Sequence, residues 1–136
     1  AVKVDPDAVF LPERLRVHLR PAGPEALAEG RYIANCRGGF GFFGALEVIS
    51  RRGLEAYFAG EARCKAELDW RGWGEDFYMQ RCLDLLKVRR VDDYNLLTDG
   101  YCNQVPSPCV SGMAAFHPFK APEAYFQCLR EAGGLR

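Results

Sequence analysis

The sequence predicts an α/β protein of one domain, residues 1–136, in which a short mixed sheet is flanked by helices and stabilised by disulfides. Three observations lead there. Strand-like and amphipathic helical segments alternate along the chain. The 136 residues, 49% of them hydrophobic, supply one modest core and are too few for two. Six cysteines contain no Cys-x-x-Cys pair and are accompanied by only two histidines, a pattern that disfavours zinc and suits disulfides in an oxidising compartment. Buried free thiols are the alternative reading. Spacing alone does not fix the pairing, although Pro106 and Pro108 between Cys102 and Cys109 favour a local bridge there.

Taken in order, Val2–Val4 is extended and runs into Asp5-Pro6-Asp7. Ala8–Leu11 is apolar, and Pro12 suits the first turn of a short amphipathic helix that carries Leu15 and Leu19 on one face and ends before Pro21. His18 reads as an exposed residue of that helix. After a loop punctuated by Pro21, Gly23 and Pro24, Arg31–Cys36 has strand character. A Gly-rich, aromatic stretch, Gly38–Gly44, precedes a predicted strand over Ala45–Ile49, and Ser50 is a good N-cap for a helix through Leu54, Tyr57 and Phe58. Asp69–Gly74 is a turn-rich aromatic loop, and Glu75-Asp76 open the next helix. Val91–Leu97 is strand-like, and a last helix spans about Glu123–Glu131.

Eighteen Lys and Arg balance eighteen Asp and Glu, so no net field draws the chain to nucleic acid or an anionic membrane. No apolar run approaches the roughly 20 residues of a membrane span. The chain opens without Met inside a strand-like segment, which predicts a fragment or processed product whose targeting and anchoring segments lie upstream.

Several residues could carry chemistry. In Asp5-Pro6-Asp7, alternate residues of an extended segment point the same way, so Asp5 and Asp7 could meet one hard cation, although the same triplet also caps helices and makes turns. Gly39–Gly44 matches Gly-x-Gly-x-x-Gly by letter, but a strand rather than a helix is predicted after it, which argues against a dinucleotide loop. Its glycines, Gly44 included, and Phe42 and Phe43 better serve close approach to a ligand, or packing. Glu75 and Asp76 sit where a helix dipole favours anions and where a general base would be held rigidly. Trp70 and Trp73 offer faces on which sugar rings stack, or they pack. His117 stands in a loop and needs partners to have a role.

Together these pieces resemble, in order, the fringe-like and core-1 β1,3-galactosyltransferase group of GT-A-fold enzymes. The resemblance rests on Lys3–Leu19 with its Asp-x-Asp, on the Gly-rich stretch leading to Ala45–Leu54, on Gly74-Glu75-Asp76-Phe77-Tyr78-Met79-Gln80-Arg81-Cys82-Leu83, and on Phe116-His117-Pro118-Phe119. It implies the acceptor-side, C-terminal part of a GT-A fold without the N-terminal nucleotide-binding half. It further implies Mn²⁺ held by Asp5, Asp7 and His117, a UDP-sugar donor near Asp5, Asp7 and Gly44, and Asp76 as catalytic base with Glu75 beside it. A glycan or glycoprotein acceptor would lie against Trp70, Trp73, Phe42 and Phe43, in the Golgi lumen or outside the cell. The family's metal motif is often a run of three acidic residues, and here Pro6 interrupts it. Two other classes fit the same residues: a secreted, disulfide-stabilised carbohydrate-binding module, and a glycoside hydrolase using Asp76 with a second carboxylate.

Overall fold

The structure, a computed structural model, describes the chain except residues 21–22, 25–27, 104 and 135–136. It is mixed α/β, with seven short strands and four helices among the described residues. The strands are β1 (Val2–Val4), β2 (Val9–Phe10), β3 (Arg31–Ala34), β4 (Leu46–Val48), β5 (Arg89–Asp92), β6 (Leu97–Thr98) and β7 (Ala115–Phe116). The helices are α1 (Pro12–Leu19), α2 (Arg51–Glu67), α3 (Glu75–Leu85) and α4 (Pro122–Glu131).

The strands form three small sheets rather than one. β1 pairs antiparallel with β4, and β3 pairs parallel with β5. In the third sheet β7 is central, antiparallel to β2 and parallel to β6. A single bridge, Tyr32 to Ile49, links β3 to the end of β4. The predicted strand over Val91–Leu97 is split into β5 and β6. Asp93 accounts for the break, because its Oδ1 accepts the Asn95 N–H at 3.0 Å and turns the backbone out of the ladder.

Parallel β3 and β5 need a long crossover, which β4, α2 and α3 supply. Ser50 starts α2 as its composition predicts: its Oγ accepts from Gly53 N at 3.1 Å and also from Arg31 N at 2.8 Å, so one hydroxyl caps the helix and ties it to β3. The core is built from three packed clusters. One surrounds Leu46, Leu96, Leu97 and Ala115; the second holds Val9, Phe116 and Cys128; the third holds Tyr32, Phe42 and Leu83.

All six cysteines are paired, Cys36–Cys102, Cys64–Cys82 and Cys109–Cys128. The expected Cys102–Cys109 bridge is therefore corrected. Ser107 N donates to Thr98 Oγ1 at 2.7 Å and fastens the residues just before Cys109 to β6. Cys102 closes a turn on Asp99 and faces the 36–38 segment, whereas Cys109 points into the Val9–Phe116 cluster beside α4. His18 is also corrected. It is largely buried, with Nδ1 2.7 Å from Asp93 Oδ2, because the 93–95 turn folds over α1.

The described helices include none long and apolar enough to cross a membrane. The three disulfides fit a secreted or lumenal protein.

Candidate metal centre

Strand register assembles the site. Val9 of β2 lies opposite Phe116 of β7, and Thr98 of β6 lies beside the same Phe116. The central strand therefore delivers His117 between Asp7, which precedes β2, and Asp99, which follows β6. Backbone bonds hold this arrangement: His117 N donates to Thr98 O at 3.1 Å, and Phe119 N donates to Asp7 O at 2.7 Å. Asp5 joins from the other side of a tight turn closed by Ala8 N to Asp5 O at 3.0 Å, and Asp5 N extends the β1–β4 pairing by donating to Ala45 O.

The outcome is a cluster in which one donor atom each from Asp5, Asp7 and His117 lies within 4.8 Å of the others. His117 Nε2 is 3.3 Å from Asp7 Oδ1, while Nδ1 is 2.6 Å from Asp99 Oδ2. A carboxylate only accepts, so Nδ1–H donates to Asp99, which leaves Nε2 on the Asp7 side, where a cation set between them would take its lone pair. This carboxylate–imidazole arrangement is how proteins orient a metal-ligating histidine. Asp99 is buried, and its other oxygen accepts Tyr101 N at 2.6 Å, so its position is fixed on both sides.

Next to this cluster lies the acidic start of α3. Asp76 Oδ2 accepts Gly44 N at 3.0 Å and Oδ1 accepts Phe77 N at 2.8 Å. Gly44 lies close to Asp76: a Cβ there would sit 3.1 Å from Asp76 Oδ2 and 3.3 Å from Asp76 Cβ, so a side chain would have to push the carboxylate aside. Glu75 faces elsewhere, with Oε2 2.9 Å from Lys3 Nζ. Lys3 also bonds Glu47 at 2.7 Å and lies 3.7 Å from Asp5 Oδ1, so one ammonium joins three carboxylates. Burial alone would lower the Lys3 pKa, but the hydrogen bonds it donates to Glu47 and Glu75 outweigh it and hold the pKa above the ordinary lysine value. Burial pushes Glu47 up to about 7, against the Lys3 ammonium and with the help of Glu75.

The aromatic residues divide. Phe43 is half-buried at the rim, stacked on Tyr101 at 5.6 Å and edge-on to His117 at 6.0 Å. Trp73 packs on Phe77, directly after Asp76, at 4.6 Å. Trp70 is exposed and lies against Tyr78. Phe42 does not line the site: it is fully buried, edge-on to Tyr32 at 5.5 Å, because the alternation around Phe42 and Phe43 turns one ring to the core and the other to the rim. The Gly-x-Gly-x-x-Gly segment is followed by β4, not by a helix, so it is no dinucleotide loop.

No family model, curated protein or solved structure matches the chain. The site is therefore read from its own geometry.

Three contributors were not legible in the sequence. Asp99 sits in Thr98-Asp99-Gly100, which reads only as a turn. Lys3 looks like an ordinary strand lysine. Asn35 is buried and shapes the Phe43 loop, its Oδ1 accepting Phe43 N at 2.9 Å and its Nδ2 donating to Phe43 O at 3.1 Å. An asparagine inside the strand-like Arg31–Cys36 stretch was the one available hint.

Proposed function

We propose that the chain is the acceptor-side part of an inverting glycosyltransferase of the fringe and core-1 β1,3-galactosyltransferase type. It would transfer a hexosyl or N-acetylhexosaminyl group from a UDP-sugar to a hydroxyl of a glycan or glycoprotein, in the Golgi lumen or outside the cell. The observation that carries this reading is the meeting of Asp5, Asp7 and His117 within 4.8 Å, from near opposite ends of the chain. The donor set fits Mn²⁺: two carboxylates and an imidazole make a mixed oxygen and nitrogen set, whereas Ca²⁺ prefers oxygen throughout. Bound there, the cation would neutralise charge on the departing diphosphate.

The chain's own residues would do the rest. Asp7 and His117 would hold the cation, with Asp99 orienting the imidazole, and Asp5 would lie toward the donor. Asp76, aimed by Gly44 N and Phe77 N, takes the proton of the acceptor hydroxyl as its oxygen bonds to the anomeric carbon and the bond to UDP breaks. Glu75 is occupied by Lys3 and is the weaker candidate. Phe43, beside His117, and Trp73, beside Phe77, are the aromatic faces an acceptor ring would use.

The test is a Mn²⁺ titration followed by water proton relaxation, with and without UDP, on the wild type, Asp7→Asn and His117→Gln. A saturable site that both variants lose supports the proposal, and UDP should strengthen it clearly only in a chain that carries the nucleotide-binding half. Unsaturable binding, or binding that ignores both substitutions, overturns it. Glycan binding without metal or nucleotide would transfer support to the carbohydrate-binding module.

A further inference from the structure

Beyond the metal centre, the loops 37–38 and 100–103 enclose a cleft of about 580 Å³ lined by Arg37, Gly38, Gly100, Tyr101, Cys102 and Asn103. It is a built feature. The Cys36–Cys102 bridge staples its two walls. Glycine is needed where the walls meet: at Gly38 a Cβ would lie 3.0 Å from Tyr101 O, and at Gly39, whose φ is +59°, one would lie 2.7 Å from the Tyr101 hydroxyl.

The chemistry of the lining is one-sided. Among the described residues no carboxylate pairs with Arg37, whose guanidinium instead lies 4.6 Å from the Tyr94 ring centroid, leaving its N–H edge for a ligand. Asn103 uses Oδ1 to accept Asp99 N at 2.9 Å, so its Nδ2 remains as a donor. Tyr101 is 63% exposed and offers a ring face and a hydroxyl. No acidic side chain lines the cleft. With a guanidinium and an amide donor in the lining and no carboxylate, the cleft favours an anionic acceptor group, and a flat aromatic face beside them suits a saccharide ring.

We propose that this cleft is a subsite for an acceptor saccharide that carries a carboxylate, such as a uronic acid residue. Arg37 and Asn103 bind the carboxylate, and Tyr101 supports the ring. The saccharide as occupant rests on the glycosyltransferase reading. Position supports it: Tyr101 stacks on Phe43, and Asp99, which accepts Tyr101 N, also holds His117, so the cleft adjoins the metal centre through one residue on each side.

The experiment uses ¹H–¹⁵N NMR titration of the full chain in EDTA with methyl β-glucuronoside, its methyl ester and methyl β-glucoside. The glucuronoside should shift the Gly38, Gly100, Tyr101 and Asn103 amides, and the ester and glucoside should bind about tenfold more weakly. Arg37→Gln, and independently Asn103→Asp, which keeps the Oδ1 acceptor but adds a repelling charge, should remove that preference. Equal binding of acid and ester, no binding, or shifts elsewhere would overturn the subsite. Because no metal is present, this outcome is independent of the Mn²⁺ titration: loss of Mn²⁺ binding in Asp7→Asn with cleft binding retained separates the two readings.

Discussion

Replacing Cys36 and Cys102 together by alanine should destabilise the protein more than removing either other bridge. The ranking follows from loop length. A cross-link lowers the entropy of the unfolded chain by an amount that grows with the logarithm of the loop it closes. For Cys36–Cys102, with a separation of 66, the chain-entropy relation gives about 4.3 kcal/mol at 25 °C. For Cys64–Cys82 and Cys109–Cys128, with separations of 18 and 19, it gives about 3.2 kcal/mol each. All six sulfurs belong to buried residues, so the cavities left by alanine are similar and the difference of about 1 kcal/mol persists. Against a typical total of roughly 5–15 kcal/mol, the first variant should be marginal. Urea unfolding of the three double-alanine variants at low temperature measures this directly. If the Cys64/Cys82 variant proved the least stable, unfolded-chain entropy would not be the governing contribution. Cys36–Cys102 removal should also weaken Mn²⁺ binding, since Cys102 closes the turn that carries Asp99.

Asp99→Asn keeps the shape beside His117 but removes the acceptor-only carboxylate, and should weaken Mn²⁺ binding about 10- to 100-fold by proton relaxation. In transfer assays with UDP-sugar and acceptor, on a chain extended by the nucleotide-binding half, Asp76→Asn should lower turnover by about 10²-fold or more with donor affinity kept, and Glu75→Gln should be mild. The reverse order would move the base to Glu75. Glu47 is held above its ordinary carboxyl value, to about 7, so the folded state binds that proton more tightly than the unfolded chain does. Its contribution is fully present below the unfolded carboxyl range and is lost as pH rises to about 7. Urea midpoints of wild type and Glu47→Gln should therefore diverge across that window, the wild type losing stability relative to the variant as pH increases.

The sequence by itself determined the local features, because each depends on neighbours in the chain. Ser50 before Arg51-Arg52-Gly53 is a cap in the sequence and in the fold. The glycines before Ala45–Ile49 lead into a strand, and Glu75-Asp76 open a helix. The extended Val2–Val4 stretch before Asp5 and Asp7, and the need of His117 for partners, were also visible. What the sequence left open were the contacts made at long range. The division of strands into three small sheets, the partner of every cysteine, the burial of His18 and Phe42, and the choice of Asp99 as partner of His117 depend on register between segments that share no local signal. Only the docking of β7 between β2 and β6 sets Asp7, His117 and Asp99 in one row, since pairing fixes which residues lie side by side and a one-residue slip would send each side chain to the opposite face.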